Sequence, residues 1–162
     1  MRRVLLEAVI PATPADQVFT QVVRFDRYPD LAPHVQSTVV HRTLPEPTGR
    51  SDWELHFRSG LLRWTEEETF HPDQLRITFT QTAGDFDELH GEWVLRADGD
   101  DTALRFQADF DFGIPSLAGI LDPIAERVIK ETIAWVLVGL FDDVRLDTPL
   151  DLTTPPVPGG VR

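Results

Sequence analysis

The segment 122–144 constrains the fold most, because its pattern predicts one long helix that must be covered on several sides. Asp122 is a residue type that caps helices and Pro123 suits the first helical position, so the pattern predicts a helix start here. Steps of three and four residues place one mostly apolar stripe on this helix, formed by Leu117, Leu121, Ile124, Val128, Thr132, Trp135 and Gly139. From Ile133 to Phe141 the helix is apolar on nearly every side, although this run is too short to span a bilayer. A sheet, a ligand or a second copy of the chain must therefore cover it.

The chain before this helix has the pattern of an antiparallel sheet. A first strand is predicted at 4–10, and helical spacing after Pro14 followed by a turn around Tyr28 predicts two short helices. Further strands are predicted at 35–43, 52–58, 61–70, 74–82, 87–97 and 101–112. Short turn sequences such as Ser59-Gly60 separate them, which is typical of a meander.

The last of these strands shows most clearly which face is buried. Apolar and polar side chains alternate along it, with Leu104, Phe106, Ala108, Phe110 and Phe112 on one side and Arg105, Gln107, Asp109 and Asp111 on the other. One face of the sheet therefore meets water and the other is covered. The order of elements predicts an α+β fold in which a curved antiparallel sheet of about seven strands wraps around the long C-terminal helix. With so few other helices, the two layers are expected to leave a pocket between them.

Composition predicts a single globular domain over residues 1–147. The 162-residue chain is 41% hydrophobic and 26% charged, and it contains no cysteine. Its 27 acidic and 15 basic side chains give a net charge of −12, which disfavours nucleic acid and anionic lipid surfaces as partners. The segment 148–162 is rich in proline and glycine, so a flexible tail is expected there. Glu7 interrupts the first apolar run before it reaches the length of a signal peptide, which favours a cytoplasmic protein.

Three consecutive glutamates in the strand 61–70 are the sharpest candidates for chemistry. If Trp64 points inward, strand alternation sends Glu66 and Glu68 inward and Glu67 to solvent. A carboxylate in an apolar cavity has a raised pKa and becomes a general acid or base near neutral pH. The competing interpretation is a shifted or edge strand whose glutamates form a solvated, charged face.

Other polar groups carry weaker signals. Histidines 34, 41, 56, 71 and 90 show no metal-ligand spacing, so no metal site is predicted. His90 lies at the start of a predicted strand and is expected either at the mouth of the cavity or in a surface turn. The predicted walls of the cavity are aromatic, and the same residues could instead fill an ordinary core: Trp64, Phe79, Trp93, Phe106, Phe110 and Trp135.

The order of elements and three segments together resemble the polyketide cyclase/dehydratase branch of the START-like, helix-grip superfamily. These segments are VIPATPADQVFTQVVRFDRYPDLAPHV, TQTAGDFDELHGEWVLRADGDDTALRFQADFDFGIP and the helix from Leu117 to Leu140. The resemblance implies an elongated apolar cavity that holds a polyketide, an isoprenoid quinone or a lipid. It also implies cyclisation or dehydration chemistry that needs no metal and no cofactor. The tyrosine and the strand arginine carried by some aromatases would fall near Val35 and Glu68, so that catalytic set is absent.

The resemblance leaves more than one function open. The first is a cofactor-independent cyclase or dehydratase in which Glu66 and Glu68 transfer protons and the aromatic residues and His90 bind the substrate. The second is a carrier of a quinone, an isoprenoid or another lipid without chemistry. A third, an interaction module of the ribosome-associated toxin type, conflicts with the acidic charge. A homodimer is the remaining partner expectation, since two copies could cover the apolar half of the helix.

Overall fold

A computed structural model of the chain describes residues 1–147, 150 and 152, and it has the predicted α+β architecture. An antiparallel sheet, a long helix near the C-terminus and two short helices after the first strand make up the fold. The strands are β1 (Arg2–Ile10), β2 (Val35–Arg42), β3 (Thr48–Phe57), β4 (Gly60–His71), β5 (Arg76–Gly84), β6 (Glu88–Asp98), β7 (Asp101–Asp111) and β8 (Arg145–Leu146). The helices are α1 (Ala15–Val22), α2 (Tyr28–Leu31) and α3 (Ala118–Leu140).

The sheet has eight strands in the order β2-β3-β4-β5-β6-β7-β1-β8. Strands β2 to β7 are consecutive neighbours, as expected of a meander, and β1 pairs with β7 on its far side. The eighth strand is an addition to the predicted set, because Arg145 and Leu146 form too short a segment to show alternation. The predicted fold class is confirmed, with eight strands where about seven were expected.

The long helix differs from its prediction in both its start and its buried face. It begins at Ala118 without a side-chain cap, so Asp122 is not its cap and Pro123 lies inside it. Proline is tolerated there because the Gly119 carbonyl, which loses its N–H partner, belongs to an exposed turn open to solvent. The buried residues are Ala125, Val128, Ile129, Thr132, Ile133, Ala134, Val136 and Leu137.

Trp135 and Gly139 therefore do not belong to the buried face that was predicted for α3. Trp135 is half-buried and Gly139 is exposed. Because the segment 133–141 is apolar on nearly every side, spacing alone did not select the face that meets the sheet. Among the residues that the structure describes, no helix is long and apolar enough to cross a membrane.

The core lies between the sheet and α3. In β7 the predicted alternation is confirmed, since Leu104, Phe106, Ala108 and Phe110 are all buried. The apolar face of α1 packs into the same core through Val18, Phe19 and Val22. The expected tail at 148–162 lies outside the described residues, apart from Leu150 and Leu152, which are half-buried against the core.

Candidate active site

A small apolar cavity lies between the sheet and α3, with a volume of about 50 Å³. Five consecutive strands, the middle of α3 and the segment around α2 contribute its walls. The lining residues are Phe25, Tyr28, Trp53, Leu55, Trp64, Glu66, Phe79, Leu89, Trp93, Phe106, Ala108, Ile129, Thr132 and Ile133. Glu66 is the one ionisable carboxyl group among them.

Four of the aromatic residues predicted as cavity walls line this cavity, namely Trp64, Phe79, Trp93 and Phe106. Their rings pack on one another, since Phe79 stacks on Phe106 with centroids 5.9 Å apart and Trp93 meets the edge of Phe106 at 4.9 Å. Gly91 makes room for this arrangement, because a Cβ atom there would lie 2.5 Å from Phe79 Cζ. The walls of the cavity are thus fixed by aromatic packing.

The other three predicted binding residues do not line the cavity. His90 is exposed on β6, where alternation with the buried Leu89 turns it to the outer face of the sheet. Phe110 is buried but packs against Phe86, away from the hollow. The structure thus places His90 on the surface and Phe110 in the core, which are the alternatives that the sequence left open, and Trp135 lies on a face of α3 that does not line this cavity.

The inward orientation of Glu66 and Glu68 is confirmed. Both side chains are buried, at 5% and 1% exposure, while Glu67 between them is exposed. Strand β4 lies between β3 and β5 and is not at an edge, which explains why the alternation holds here. A register shift between β4 and β5 falls at Thr65 and Glu66, and such irregularities often re-aim side chains beside functional sites.

The two glutamates, called the carboxyl pair below, are held by hydrogen bonds from strands β3 and β4. Trp64 Nε1 donates to Glu66 Oε1 at 2.9 Å, and Ser51 Oγ donates to Glu68 Oε2 at 2.6 Å. Trp53 Nε1 donates in turn to Ser51 Oγ at 2.8 Å. Glu68 Oε1 is buried without a hydrogen-bond partner among the described residues. Only Glu66 reaches the cavity, so Glu68 lies behind it.

Gly49 leaves the space that Glu68 occupies. It pairs with Glu68 across the strands, and a Cβ atom at Gly49 would lie 2.7 Å from Glu68 Oε1. The same Cβ atom would meet Phe70 Cζ at 2.8 Å. A residue larger than glycine therefore has to displace the Glu68 carboxyl group.

The surroundings of the carboxyl pair favour the protonated form of Glu66. Burial raises the pKa of Glu66 well above its usual range, and the neighbouring Glu68 carboxyl group raises it further. Burial also raises the pKa of Glu68, although the interactions with Glu66 and Ser51 and the charge of Arg42 act in the opposite direction. The pKa of Glu66 is therefore raised by burial and by its neighbour, whereas the pKa of Glu68 is raised by burial and lowered by the groups that contact it.

Sequence reasoning missed three polar members of this site. Tyr28 lines the cavity and donates its hydroxyl hydrogen to the Val22 carbonyl oxygen at 2.7 Å. Burial raises the pKa of Tyr28 well above its usual range, and the charges of Glu66 and Glu68 add to this effect. Thr132 on α3 lines the opposite wall and bonds back to the Val128 carbonyl oxygen at 2.7 Å. Ser51 is the third member. It lies two residues before Trp53 on β3, so strand alternation places both side chains on the buried face and could have predicted its position.

The cavity is smaller than the elongated hollow that the resemblance implied. Ligand pockets commonly enclose about 300–1,000 Å³, whereas this one measures about 50 Å³. The rings of Trp53, Trp64 and Phe79 bound the cavity, and the first two stack on each other. A ligand larger than a few atoms can enter only when these side chains or α3 move.

The family of the chain follows from its sequence. The model of the family described as "Polyketide cyclase / dehydrase and lipid transport" matches residues 11–136. This match covers α1, α2, the whole carboxyl pair region and most of α3. The chain belongs to this family.

Individual relatives agree with this assignment. The chain is 28% identical over 129 residues to the actinorhodin polyketide synthase bifunctional cyclase/dehydratase of Streptomyces coelicolor, covering 75% of this chain and 40% of that protein. It therefore spans about two fifths of the length of that relative. A crystal structure of a protein from Thermus thermophilus matches with a TM-score of 0.74 and 28% identity, over 85% of this chain and 93% of the other.

The fold is also similar to that of the Zhui aromatase/cyclase from Streptomyces sp. R1128. The TM-score is 0.69 at 20% identity, and the match covers 86% of this chain and 90% of that structure. At this level of identity the likeness concerns the fold.

Proposed function

We propose that the chain binds a hydrophobic, polyketide-type intermediate between the sheet and α3 and promotes its cyclisation or dehydration by acid/base catalysis. The single observation that carries this proposal is the position of Glu66, a carboxyl group that lines the mostly apolar cavity and whose pKa is raised well above its usual range by burial. A general acid near neutral pH needs a raised pKa and access to the substrate, and Glu66 has both. The family description and the cyclase/dehydratase relative support the choice of substrate class.

The proposed reaction needs only proton transfers. In a dehydration, Glu66 gives its proton to the departing hydroxyl group, which leaves as water, and the C–O bond breaks. The Glu66 carboxylate then takes a proton from the adjacent carbon as the double bond forms, so the carboxyl pair ends with the proton it began with. In a cyclisation, the enol carbon of one carbonyl forms a C–C bond to the carbon of a second carbonyl, whose oxygen takes the Glu66 proton and becomes a hydroxyl group. The Glu66 carboxylate then takes the O–H proton of the former enol, which becomes a carbonyl again.

The apolar walls serve this chemistry in two ways. Aromatic faces such as those of Trp93 and Phe106 suit a conjugated, flat product. They also keep the dielectric constant low around Glu66, which maintains its proton. Because the cavity is only about 50 Å³, substrate binding must be coupled to an opening between α3 and the sheet.

Turnover of a linear poly-β-ketone thioester by purified protein tests this function. Product formation is followed by mass spectrometry in the wild type and in Glu66→Gln, Glu68→Gln and Glu67→Gln. Glu66→Gln is expected to abolish turnover and Glu68→Gln to lower it at least tenfold. Glu67→Gln, with its exposed side chain on the same strand, is the matched control and should retain the wild-type rate.

Two results would oppose the proposal. Equal rates in Glu66→Gln and Glu67→Gln would remove the assigned role of Glu66. A quinone or other isoprenoid lipid extracted from the purified protein, together with no turnover, would favour a carrier.

A further inference from the structure

The hydroxyl group of Ser51 has a fixed direction in this structure. An indole N–H can only donate, so the bond from Trp53 Nε1 at 2.8 Å uses Ser51 Oγ as an acceptor. Among the described residues, the bond to Glu68 Oε2 at 2.6 Å is the one that the Ser51 hydroxyl group donates, so its hydrogen points to that carboxyl group. Ser51 is fully buried, so no solvent molecule competes for either bond.

This directed chain makes the two members of the carboxyl pair unequal. Glu68 receives a hydroxyl hydrogen bond, which stabilises its ionised form, because hydrogen bonds to a charged acceptor are the stronger ones. Glu66 accepts the Trp64 indole N–H on Oε1, which is a bond from a neutral donor and not from a hydroxyl group. Glu66 is also the member that faces the cavity.

We propose that Ser51 is a positioning residue that holds the negative charge of the carboxyl pair on Glu68 and thereby keeps the shared proton on Glu66, where the substrate meets it. Ser51 does not line the cavity and acts through Glu68. A role of Ser51 in turnover rests on the proposed function, whereas its effect on which glutamate carries the proton does not.

Removal of the Ser51 hydroxyl has a defined consequence. Glu68 loses the bond that favours its charge, so it competes with Glu66 for the single proton. The low-pH step, in which the pair takes up its second proton, moves to higher pH, by about one unit for one hydrogen bond to a charged group. The high-pH step changes less, because Glu68 is ionised on both sides of it.

Carbon-13 NMR of the glutamate side-chain carboxyl carbons can follow each member of the pair separately. The resonances are assigned with Glu66→Gln and Glu68→Gln and then titrated in the wild type and in Ser51→Ala. The matched control is Ser37→Ala, since Ser37 Oγ donates to Glu54 Oε1 at 2.7 Å in a similar bond between β2 and β3, away from the carboxyl pair. Ser51→Thr retains the hydroxyl group and should restore the wild-type titration.

The double variant Ser51→Ala/Trp53→Phe removes the hydroxyl group without leaving the Trp53 N–H unpaired, so it replaces Ser51→Ala if that variant does not fold. We expect Glu68 to be ionised and Glu66 protonated at pH 7 in the wild type, with the upward shift of about one unit in Ser51→Ala or the double variant. A Glu68 resonance that is protonated in the wild type, or that titrates unchanged without the hydroxyl, would overturn the proposal. If the Glu68 titration shifts in Ser51→Ala but the wild-type protein shows no turnover, the proposed function is refuted and the role of Ser51 is not.

Discussion

Trp53 and Trp64 stack face to face across strands β3 and β4, with ring planes 3° from parallel and centroids 5.8 Å apart. Each indole N–H then supports a different member of the carboxyl pair, Trp64 directly and Trp53 through Ser51. The stacked rings thus form both a wall of the cavity and the frame that orients its acid groups. The free energy of unfolding should therefore depend on the protonation of the carboxyl pair.

The first prediction concerns the pH dependence of stability. Burial raises the pKa of Glu66 in the folded protein above its ordinary value of 4.5. Between these two pKa values the folded protein binds more protons than the unfolded chain, so the free energy of unfolding falls as pH rises through this interval. Each unit of difference is worth about 1.4 kcal/mol at the high-pH end.

Glu66→Gln mimics the protonated form and should remove this loss. Urea denaturation across the pH range should show a flatter profile for Glu66→Gln than for the wild type, with the variant more stable at alkaline pH. Glu67→Gln is the control, because its side chain is exposed. Parallel profiles for the wild type and Glu66→Gln would show that burial does not raise the pKa of Glu66 in the folded protein.

The second prediction tests the space beside Glu68. Gly49→Ala places a Cβ atom 2.7 Å from Glu68 Oε1 and 2.9 Å from the Arg42 carbonyl oxygen, which should lower the free energy of unfolding by about 1–3 kcal/mol. Glu68→Ala in the same chain should recover part of this loss, as a double-mutant cycle would measure. Gly119→Ala has open space around its Cβ position and lies in α3, so it should not lower the free energy of unfolding. If the changes in unfolding free energy caused by Gly49→Ala and Glu68→Ala are additive, a Cβ atom at position 49 does not collide with the Glu68 carboxyl group.

The third prediction concerns the cavity. Phe79→Ala removes a ring from its wall and should lower the free energy of unfolding by about 3–5 kcal/mol. The enlarged apolar space should accept benzene, so that benzene raises the melting temperature of the variant more than that of the wild type. Phe112→Ala, a half-buried ring that does not line the cavity, provides the comparison. An equal response to benzene in both variants would argue against a cavity at Phe79.

The fourth prediction concerns the attachment of α3. His34 Nε2 and Glu131 Oε1 lie 2.9 Å apart, and their side chains are only 8% and 21% exposed. His34→Ala leaves Glu131 without this partner and should lower the free energy of unfolding by about 1–3 kcal/mol, measured by urea denaturation. His41→Ala breaks a bond of 2.8 Å to Asp52, where both side chains are more than 40% exposed, and should cost less than about 1 kcal/mol. An equal loss of unfolding free energy in His34→Ala and His41→Ala would show that burial does not strengthen the interaction between His34 and Glu131.

Strand alternation predicted the core of this site well because it is a geometric property of any strand. The inward direction of Glu66 and Glu68 followed from their parity with Trp64, and the interior position of β4 preserved that parity. The same rule failed to bring in Ser51 because the predicted strand began at 52, whereas β3 begins at Thr48. Strand ends are set by pairing with neighbours, which local sequence does not display.

The long helix was harder to predict for a different reason. A helix with one apolar stripe has only one face to bury, but α3 offers apolar groups on several sides, so packing against the sheet and α2 chose the face. His90 was misplaced because its neighbours Leu89 and Trp93 determine the inward parity of β6, and the position at the start of a strand says nothing about this. The small volume of the cavity depends on side-chain packing across five strands, which no local pattern encodes.

A hollow of about 50 Å³ has a kinetic consequence for any ligand larger than a few atoms. Such a ligand cannot bind to the closed structure, because the protein must first open between the sheet and α3. In rapid-mixing experiments, the observed association rate should therefore level off at high ligand concentration, at the rate with which the protein itself opens.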